Sequence, residues 1–169
     1  MVIIEFIKDI IGYIIVFVVV ILLTVFVVSI TTVVGDSMEG TVDDGNILLI
    51  EKVTPRFLNL KRFDIVVVKH KNPNYIVKRI IGLPGDRLSY KDNQLYINGK
   101  YVQEAFLKNV ITENIDEIII PDNEYFVLGD NRSNSVDSRE FGTINKNQME
   151  GRAIIKIWPI GEFKILGKK

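Results

Sequence analysis

The chain has no cysteine, which excludes disulfides, thiolate nucleophiles and cysteine-held metals together. An extracytoplasmic location stays open without demanding an oxidising compartment. Net charge is also missing, since 21 basic and 21 acidic residues cancel and the basic ones form no stripe or helix-turn-helix pattern. The electrostatic footprint of phosphate binding is absent, so no nucleic-acid partner is expected. Histidine is nearly absent. The single one, His70, sits in Lys69-His70-Lys71-Asn72-Pro73-Asn74, a charged turn between apolar runs, and reads as a solvated turn residue. A Ser-His-Asp arrangement would need it buried against a carboxylate. There is no internal repeat and no low-complexity segment. The acidic residues do not follow the one-three-five spacing of a calcium loop, and no metal or other cofactor is expected.

What the chain does have is a long uncharged run, Ile10 to Val34. As a helix it would reach roughly 37 Å, more than the roughly 30 Å of bilayer hydrocarbon. Its β-branched residues disfavour helix in water, but in lipid a single segment must satisfy its own backbone hydrogen bonds. The run therefore predicts one transmembrane anchor over residues 10–34, behind a lead-in of residues 1–9 and ahead of an extracytoplasmic domain of residues 35–169. A cleaved secretory signal is the alternative. Val33 and Gly35 offer a small-residue pair for it, but its apolar core normally spans only about 7 to 15 residues. Lys8 precedes the run, whereas Asp36, Glu39, Asp43 and Asp44 follow it before the first basic residue, Lys52. That bias places the N-terminus in the cytoplasm of a single-pass cell-membrane protein.

Beyond the run the pattern turns strand-like, with short β-branched stretches between Gly, Pro, Asn and Asp. Strands are expected at 46–53, 63–69, 75–83, 94–102, 125–128 and 153–158. The fourth of these contains Asn98-Gly99, the signal for a tight type I′ hairpin. The fold class is mostly β, an antiparallel sheet domain behind one N-terminal helix. Residues 103–124 are hardest to read; Glu104 to Lys108 suggests a helical turn and Ile118 to Ile120 a short strand. Phe57, Leu58 and Leu60 read as core residues, with dipping into a membrane interface as the alternative.

Three stretches carry chemistry. Ser37, in Gly35-Asp36-Ser37-Met38-Glu39-Gly40, sits just past the apolar run, where a nucleophile could meet a membrane-embedded substrate. A serine hydroxyl needs a neighbouring base. Lys78 qualifies if burial lowers its pKa to roughly 7 to 8. In Tyr75-Ile76-Val77-Lys78-Arg79-Ile80-Ile81, alternation sets Lys78 between Ile76 and Ile80 on one strand face. Such neighbours desolvate the amine and disfavour its charged form. Read alone, the segment better suits an edge strand whose lysine reaches solvent. The third stretch, Gly129 to Gly142, is dense in side chains that bond local backbone and by itself reads as a structural loop.

Taken together, the Ser37-Met38 box, Arg62 to Val67, Val77 to Asp86, Gly129-Asp130-Asn131 to Asp137-Ser138-Arg139 and the closing Ile157-Trp158-Pro159 resemble bacterial type I signal peptidases in content and order. The similarity runs over most of residues 33–159, with 88–124 as a variable insert, and suits the compact Gram-positive type with a single anchor. The resemblance implies a membrane-bound serine endopeptidase with a Ser/Lys dyad that removes signal peptides from exported preproteins after small-x-small sites. It implies Ser37 as nucleophile, Lys78 as general base and Ser135 as the residue orienting the amine. It further implies Asp137 and Arg139 as an ion pair behind the site, Asp130 and Ser138 as support, and Met38 as packing. The Ser37 backbone N–H would serve the oxyanion. Some relatives have a serine donor where this chain has Gly35, which leaves the second donor open. The family's usual proline is replaced by Gly40, an exchange expected to cost about 0.5 to 1 kcal/mol in chain freedom. Two other readings follow. A non-catalytic assembly factor for surface structures is motivated by Gly40, and a self-cleaving repressor shares the dyad but needs a DNA-binding domain where this chain has its apolar run.

Overall fold

The uncharged run divides into two elements. In the computed structural model, which describes residues 2–70, 75–107 and 110–166, helix α1 spans Val2–Phe26 and strand β1 spans Val28–Thr32. The expectation of one helix over residues 10–34 is therefore corrected at both ends. The helix takes up the lead-in and stops eight residues early. The physical reason is the partner that β1 finds. Its residues pair antiparallel with strand β2 (Ile47–Glu51) from Val28 opposite Glu51 to Thr32 opposite Ile47. Once a sheet edge supplies hydrogen bonds, the backbone no longer needs a helix, and Val28, Ile30, Thr31 and Thr32 follow their β preference. The described residues Ile4–Phe26 remain long and apolar enough to cross a bilayer, at roughly 34 Å.

Helix α1 is joined to the sheet without a linker. Lys52 donates its backbone N–H to the Val27 carbonyl at 2.8 Å, and Arg56 donates from its guanidinium to the Phe26 carbonyl at 3.2 Å. Arg56 belongs to the short helix α2 (Val53–Phe57), so a cation from the domain meets the carbonyl end of α1, where the helix dipole favours it. Beyond α2, Leu60 is buried as expected. Phe57 and Leu58 are exposed, at 77% and 57%, which corrects their reading as core residues.

The remaining strands are β3 (Ile65–Lys69), β4 (Tyr75–Gly82), β5 (Arg87–Lys91), β6 (Gln94–Ile97), β7 (Lys100–Val102), β8 (Ile115–Ile119), β9 (Glu124–Leu128), β10 (Ile144–Asn145), β11 (Met149–Trp158) and β12 (Lys164–Ile165). The main sheet runs β1-β2-β11-β3-β4-β9-β10, with β12 also on β11, and all its pairings are antiparallel. A second sheet, β7-β6-β5-β8, is inserted between β4 and β9. The protein is thus mostly antiparallel β behind one apolar helix. Asn98 and Gly99 both have positive φ, as a type I′ turn requires. Asp92 and Asn93 do the same between β5 and β6, a hairpin that the sequence marks less clearly. Residues 105–106 form a turn closed by Leu107 N–H on the Glu104 carbonyl. Lys108, the end of the expected helical turn, and residues 71–74, beside His70, lie outside the described residues.

Three apolar clusters follow from strand alternation. In β3, Ile65 and Val67 join Val33, Met38, Val42, Leu48 and Ile50 on one side of the sheet. Val66 and Val68 join Ile80, Tyr125 and Val127 on the other. Ile81, Leu88, Tyr90, Leu95 and Phe126 fill the joint between the two sheets. Each such side chain, fully buried, contributes about 1.5 to 3 kcal/mol. At Gly151 of β11 the neighbouring strand comes so close that a Cβ would meet the Ile50 side chain and lie 2.8 Å from the Glu51 carbonyl oxygen. Gly151→Ala is expected to lower stability by about 1 to 3 kcal/mol through overpacking. Urea unfolding of the detergent-solubilised protein checks this, and an unchanged midpoint would show that β2 and β11 can part there.

Candidate active site

Ser37 opens a turn that glycine makes possible. Thr41 and Val42 donate their N–H groups to the Met38 carbonyl, and Met38, 1% exposed, anchors the turn in the core beside Val33 and Val42. Gly40 has φ +87° and donates its N–H to the Asp43 carboxylate at 3.0 Å. Proline can offer neither that φ nor an N–H. This corrects the expected effect of Gly40: the residue is a requirement of the turn as built, not a loss of stiffness.

Lys78 lies opposite Val66 in the β3–β4 register, on the strand face that carries Ile76 and Ile80. It is 3% exposed, and its Nζ donates to Ser37 Oγ at 2.6 Å. Burial lowers its pKa from 10.5 to about 8, against the raising pull of Asp137 and Asp130 and with help from Arg139. The two residues with the strongest sequence case are thus in direct contact. His70 is elsewhere, its ring 4.5 Å from that of Phe141.

The loop from Gly129 supplies the surroundings. Asp137 is fully buried and accepts from the Gly129 N–H at 3.0 Å and from Arg139 Nε at 2.9 Å, while its side chain caps the short helix α3 (Ser138–Phe141). Burial pushes the Asp137 carboxyl up, but the hydrogen bonds from Arg139 and the Gly129 N–H outweigh it and hold the pKa below its ordinary value. Ser138 Oγ accepts from the Val127 N–H at 2.9 Å, fastening α3 to β9. Ser135 lies beside Gly129, where a Cβ would collide with Ser135 Oγ and the Ser37 carbonyl. Its hydroxyl is buried without a hydrogen bond of ordinary geometry, so the bond expected from it to Lys78 is not formed.

Asp130 has a partner that sequence reasoning missed. Arg79 grips it with Nε at 2.8 Å and Nη2 at 2.6 Å, donates to the Phe63 carbonyl at 2.9 Å, and lies over the Phe106 ring at 3.9 Å. The signal was available, because alternation sets Arg79 between Val77 and Ile81, a charge in an apolar row like Lys78. Among the described residues no cluster of three histidines or carboxylates is placed to hold a metal. Chemically, the arrangement offers a hydroxyl against an amine whose lowered pKa leaves a sizeable neutral fraction near neutral pH, with backbone N–H groups at the turn.

Comparison with known proteins is consistent across three kinds of match. Residues 3–158 match the family model described as signal peptidase, peptidase S26. The signal peptidase I of Bacillus caldolyticus is 38% identical over 155 residues, covering 83% of this chain and 85% of that one. The signal peptidase IB of Staphylococcus aureus strain COL is 35% identical over 179 residues, covering 95% and 93%. A crystal structure of a signal peptidase I from Enterococcus faecalis V583 aligns with a TM-score of 0.51 at 37% identity, over 56% of this chain and 96% of that chain.

Two outcomes are expected. Between the folded pKa of Lys78, about 8, and the ordinary lysine value of 10.5, the unfolded chain holds a proton that the folded one has released. Stability therefore rises with pH across that window and the gain is lost as pH falls through 8. Urea unfolding at pH 7 and pH 10 should show this rise in the wild type and its absence in Lys78→Met; equal pH dependence in the two would mean that the amine is not buried. Gly40→Pro is expected to destabilise by about 2 to 3 kcal/mol and to abolish any activity of the turn. A proline variant with unchanged unfolding and function would refute the conformation described at Gly40.

Proposed function

The chain belongs to the signal peptidase family, peptidase S26, and from that premise we propose that it is a membrane-bound serine endopeptidase that cleaves signal peptides from exported preproteins. The observation that carries the reading is the 2.6 Å contact between Lys78 Nζ and Ser37 Oγ at a lysine with a pKa of about 8. At pH 7.5 about a quarter of such amines are neutral, against about one in a thousand for a free lysine. The neutral amine takes the Ser37 proton as Oγ attacks the scissile carbonyl carbon. The tetrahedral oxyanion accepts from the Ser37 N–H. The ammonium then protonates the leaving amine as the C–N bond breaks, and the acyl group remains on Oγ as an ester. In the second half Lys78 takes a proton from water, the hydroxide adds to the ester, and the proton returns to Oγ as the signal peptide leaves with its new carboxylate. Ser135, with its buried and uncommitted hydroxyl, is assigned to orient the amine once it is neutral. Asp137 with Arg139, Asp130 with Arg79, Ser138 and Met38 hold the loop and turn in place.

The substrate is assigned to an extended conformation between two free edges. Among the described residues, strand β1 ends the sheet, and β4 from Tyr75 to Lys78 pairs with β3 alone, since β9 joins it from Arg79 onward. Side chains at alternate positions of such a strand would face the enzyme, in keeping with small-x-small sites. Helix α1 serves as the single anchor, with the N-terminus cytoplasmic and the sheet domain outside, so that enzyme and signal segment search for each other within one bilayer. The assembly-factor alternative loses its motive, because Gly40 is what the turn conformation requires.

The test is cleavage of a precursor with an Ala-x-Ala site by the detergent-solubilised protein over pH 6 to 10. Wild type is expected to cleave at that site with a basic limb near pH 8. Ser37→Ala and Lys78→Met are expected to lose at least about a thousandfold in kcat. Retained cleavage in Ser37→Ala would sink the assignment of the nucleophile.

A further inference from the structure

The residue after Asn131 is a buried arginine with no part in the chemistry above. Arg132 has a fully buried side chain and spends its guanidinium on four partners. Nε donates to the Gly129 carbonyl at 2.9 Å, Nη1 to Tyr90 Oη at 3.0 Å and to Thr112 Oγ1 at 2.7 Å, and Nη2 to Glu104 Oε1 at 2.5 Å. Only the first lies in its own loop. Tyr90 belongs to β5, and Glu104 and Thr112 lie on the connection from β7 to β8. All three come from the second sheet and its connections.

A guanidinium has five N–H donors in a fixed fork, so four partners on two sides fix both its place and its plane. The neighbouring residue transmits that placement. Asn131 donates its backbone N–H to the Ser37 carbonyl at 3.1 Å and its side-chain amide to Glu39 at 3.0 Å. Consecutive loop residues thus hold different parts of the molecule: Asp130 holds Arg79 on β4, Asn131 holds the Ser37 peptide, and Arg132 holds the second sheet. A buried ion pair such as Arg132–Glu104 is a poor way to gain stability, because desolvating both charges consumes most of their attraction. Its geometric effect is what distinguishes it.

We propose that Arg132 is a positioning residue through which Tyr90, Glu104 and Thr112 of the second sheet set the backbone of Ser37 for attack. Holding the Ser37 carbonyl fixes ψ at that residue, and with it the relation between its N–H, its Oγ and Lys78. This rests on Ser37 being the nucleophile, as proposed above. It gives the inserted sheet a role in turnover, although among the described residues none of its side chains hydrogen-bonds to Ser37 or Lys78. The edges assigned to substrate, on β1 and β4, belong to other parts of the fold, so the effect should fall on kcat and spare KM.

The experiment measures kcat and KM for an Ala-x-Ala peptide with the full-length solubilised protein and the variants Arg132→Lys, Glu104→Gln, Tyr90→Phe and Thr112→Val. Arg132→Lys keeps the charge but loses the fork, so it separates neutralisation of Glu104 from positioning. Arg132→Lys and Glu104→Gln are expected to lose about 10- to 100-fold in kcat with KM within about twofold, and Tyr90→Phe about 3- to 10-fold. The Tyr90→Phe/Glu104→Gln double variant should be no worse than Glu104→Gln, because both act through one guanidinium. Wild-type kcat in folded Arg132→Lys, or a KM rise that accounts for the whole loss, overturns the proposal. Should the two charge variants fail to fold, Tyr90→Phe and Thr112→Val decide it: reduced kcat at constant KM in both supports the clamp, and any other result overturns it. With Ser37→Ala inactive in the same assay, such a failure counts against the clamp alone. Cleavage by Ser37→Ala would remove the nucleophile and the clamp together.

Discussion

Everything at the centre of this molecule depends on keeping one amine short of its proton. Lys78 is buried enough to bring its pKa to about 8, yet Asp137 and Asp130 both pull it upward. Left unpaired, two carboxylates would restore the ammonium that burial removes. Each is instead matched to a guanidinium of its own, Asp137 to Arg139 and Asp130 to Arg79. The ion pairs engage both carboxylates, Arg139 lowers the Lys78 pKa in turn, and Asp137 still holds the Gly129 backbone. The charge around the serine is therefore balanced so that the lysine's pKa stays near 8.

The fold serves this arrangement by division of labour. Strands β3, β4 and β9 present Lys78 and Arg79 on opposite faces of one strand, so adjacent residues reach different partners. The loop after β9 then binds the Ser37 turn, the arginine on β4 and the second sheet within four residues. Gly129 allows this close approach, since any side chain there would occupy the space of Ser135 and the Ser37 carbonyl. The three apolar clusters make each attachment point rigid.

Much of this was legible in the sequence, and the exceptions have a common physical cause. Local patterns read well: the alternation around Lys78, the Asn98-Gly99 hairpin and most strands appear close to their expected positions. The Ser37 and Lys78 assignment also came from local stretches, and the structure places their side chains in contact. What escaped was set by distant partners. Strand β1 was hidden in the uncharged run because hydropathy does not distinguish lipid from a sheet edge as the reason for an apolar residue. Gly40 was misjudged because φ is not written in the sequence. Phe57 and Leu58 read as core because the sequence does not say where the domain ends. Arg132, Tyr90 and Glu104 gave no signal, since the partners they find lie 20 to 42 positions away.

The joint between α1 and β1 has a consequence for how the whole molecule meets its surroundings. A flexible tether would keep the sheet domain nearby but let it tumble. Here one residue separates helix from strand, and Lys52 and Arg56 lock the helix end to the sheet. The domain inherits the orientation of the helix, as a sail does that of its mast. Rotational freedom is thereby given up when the chain folds, so less of it remains to be lost when a partner docks.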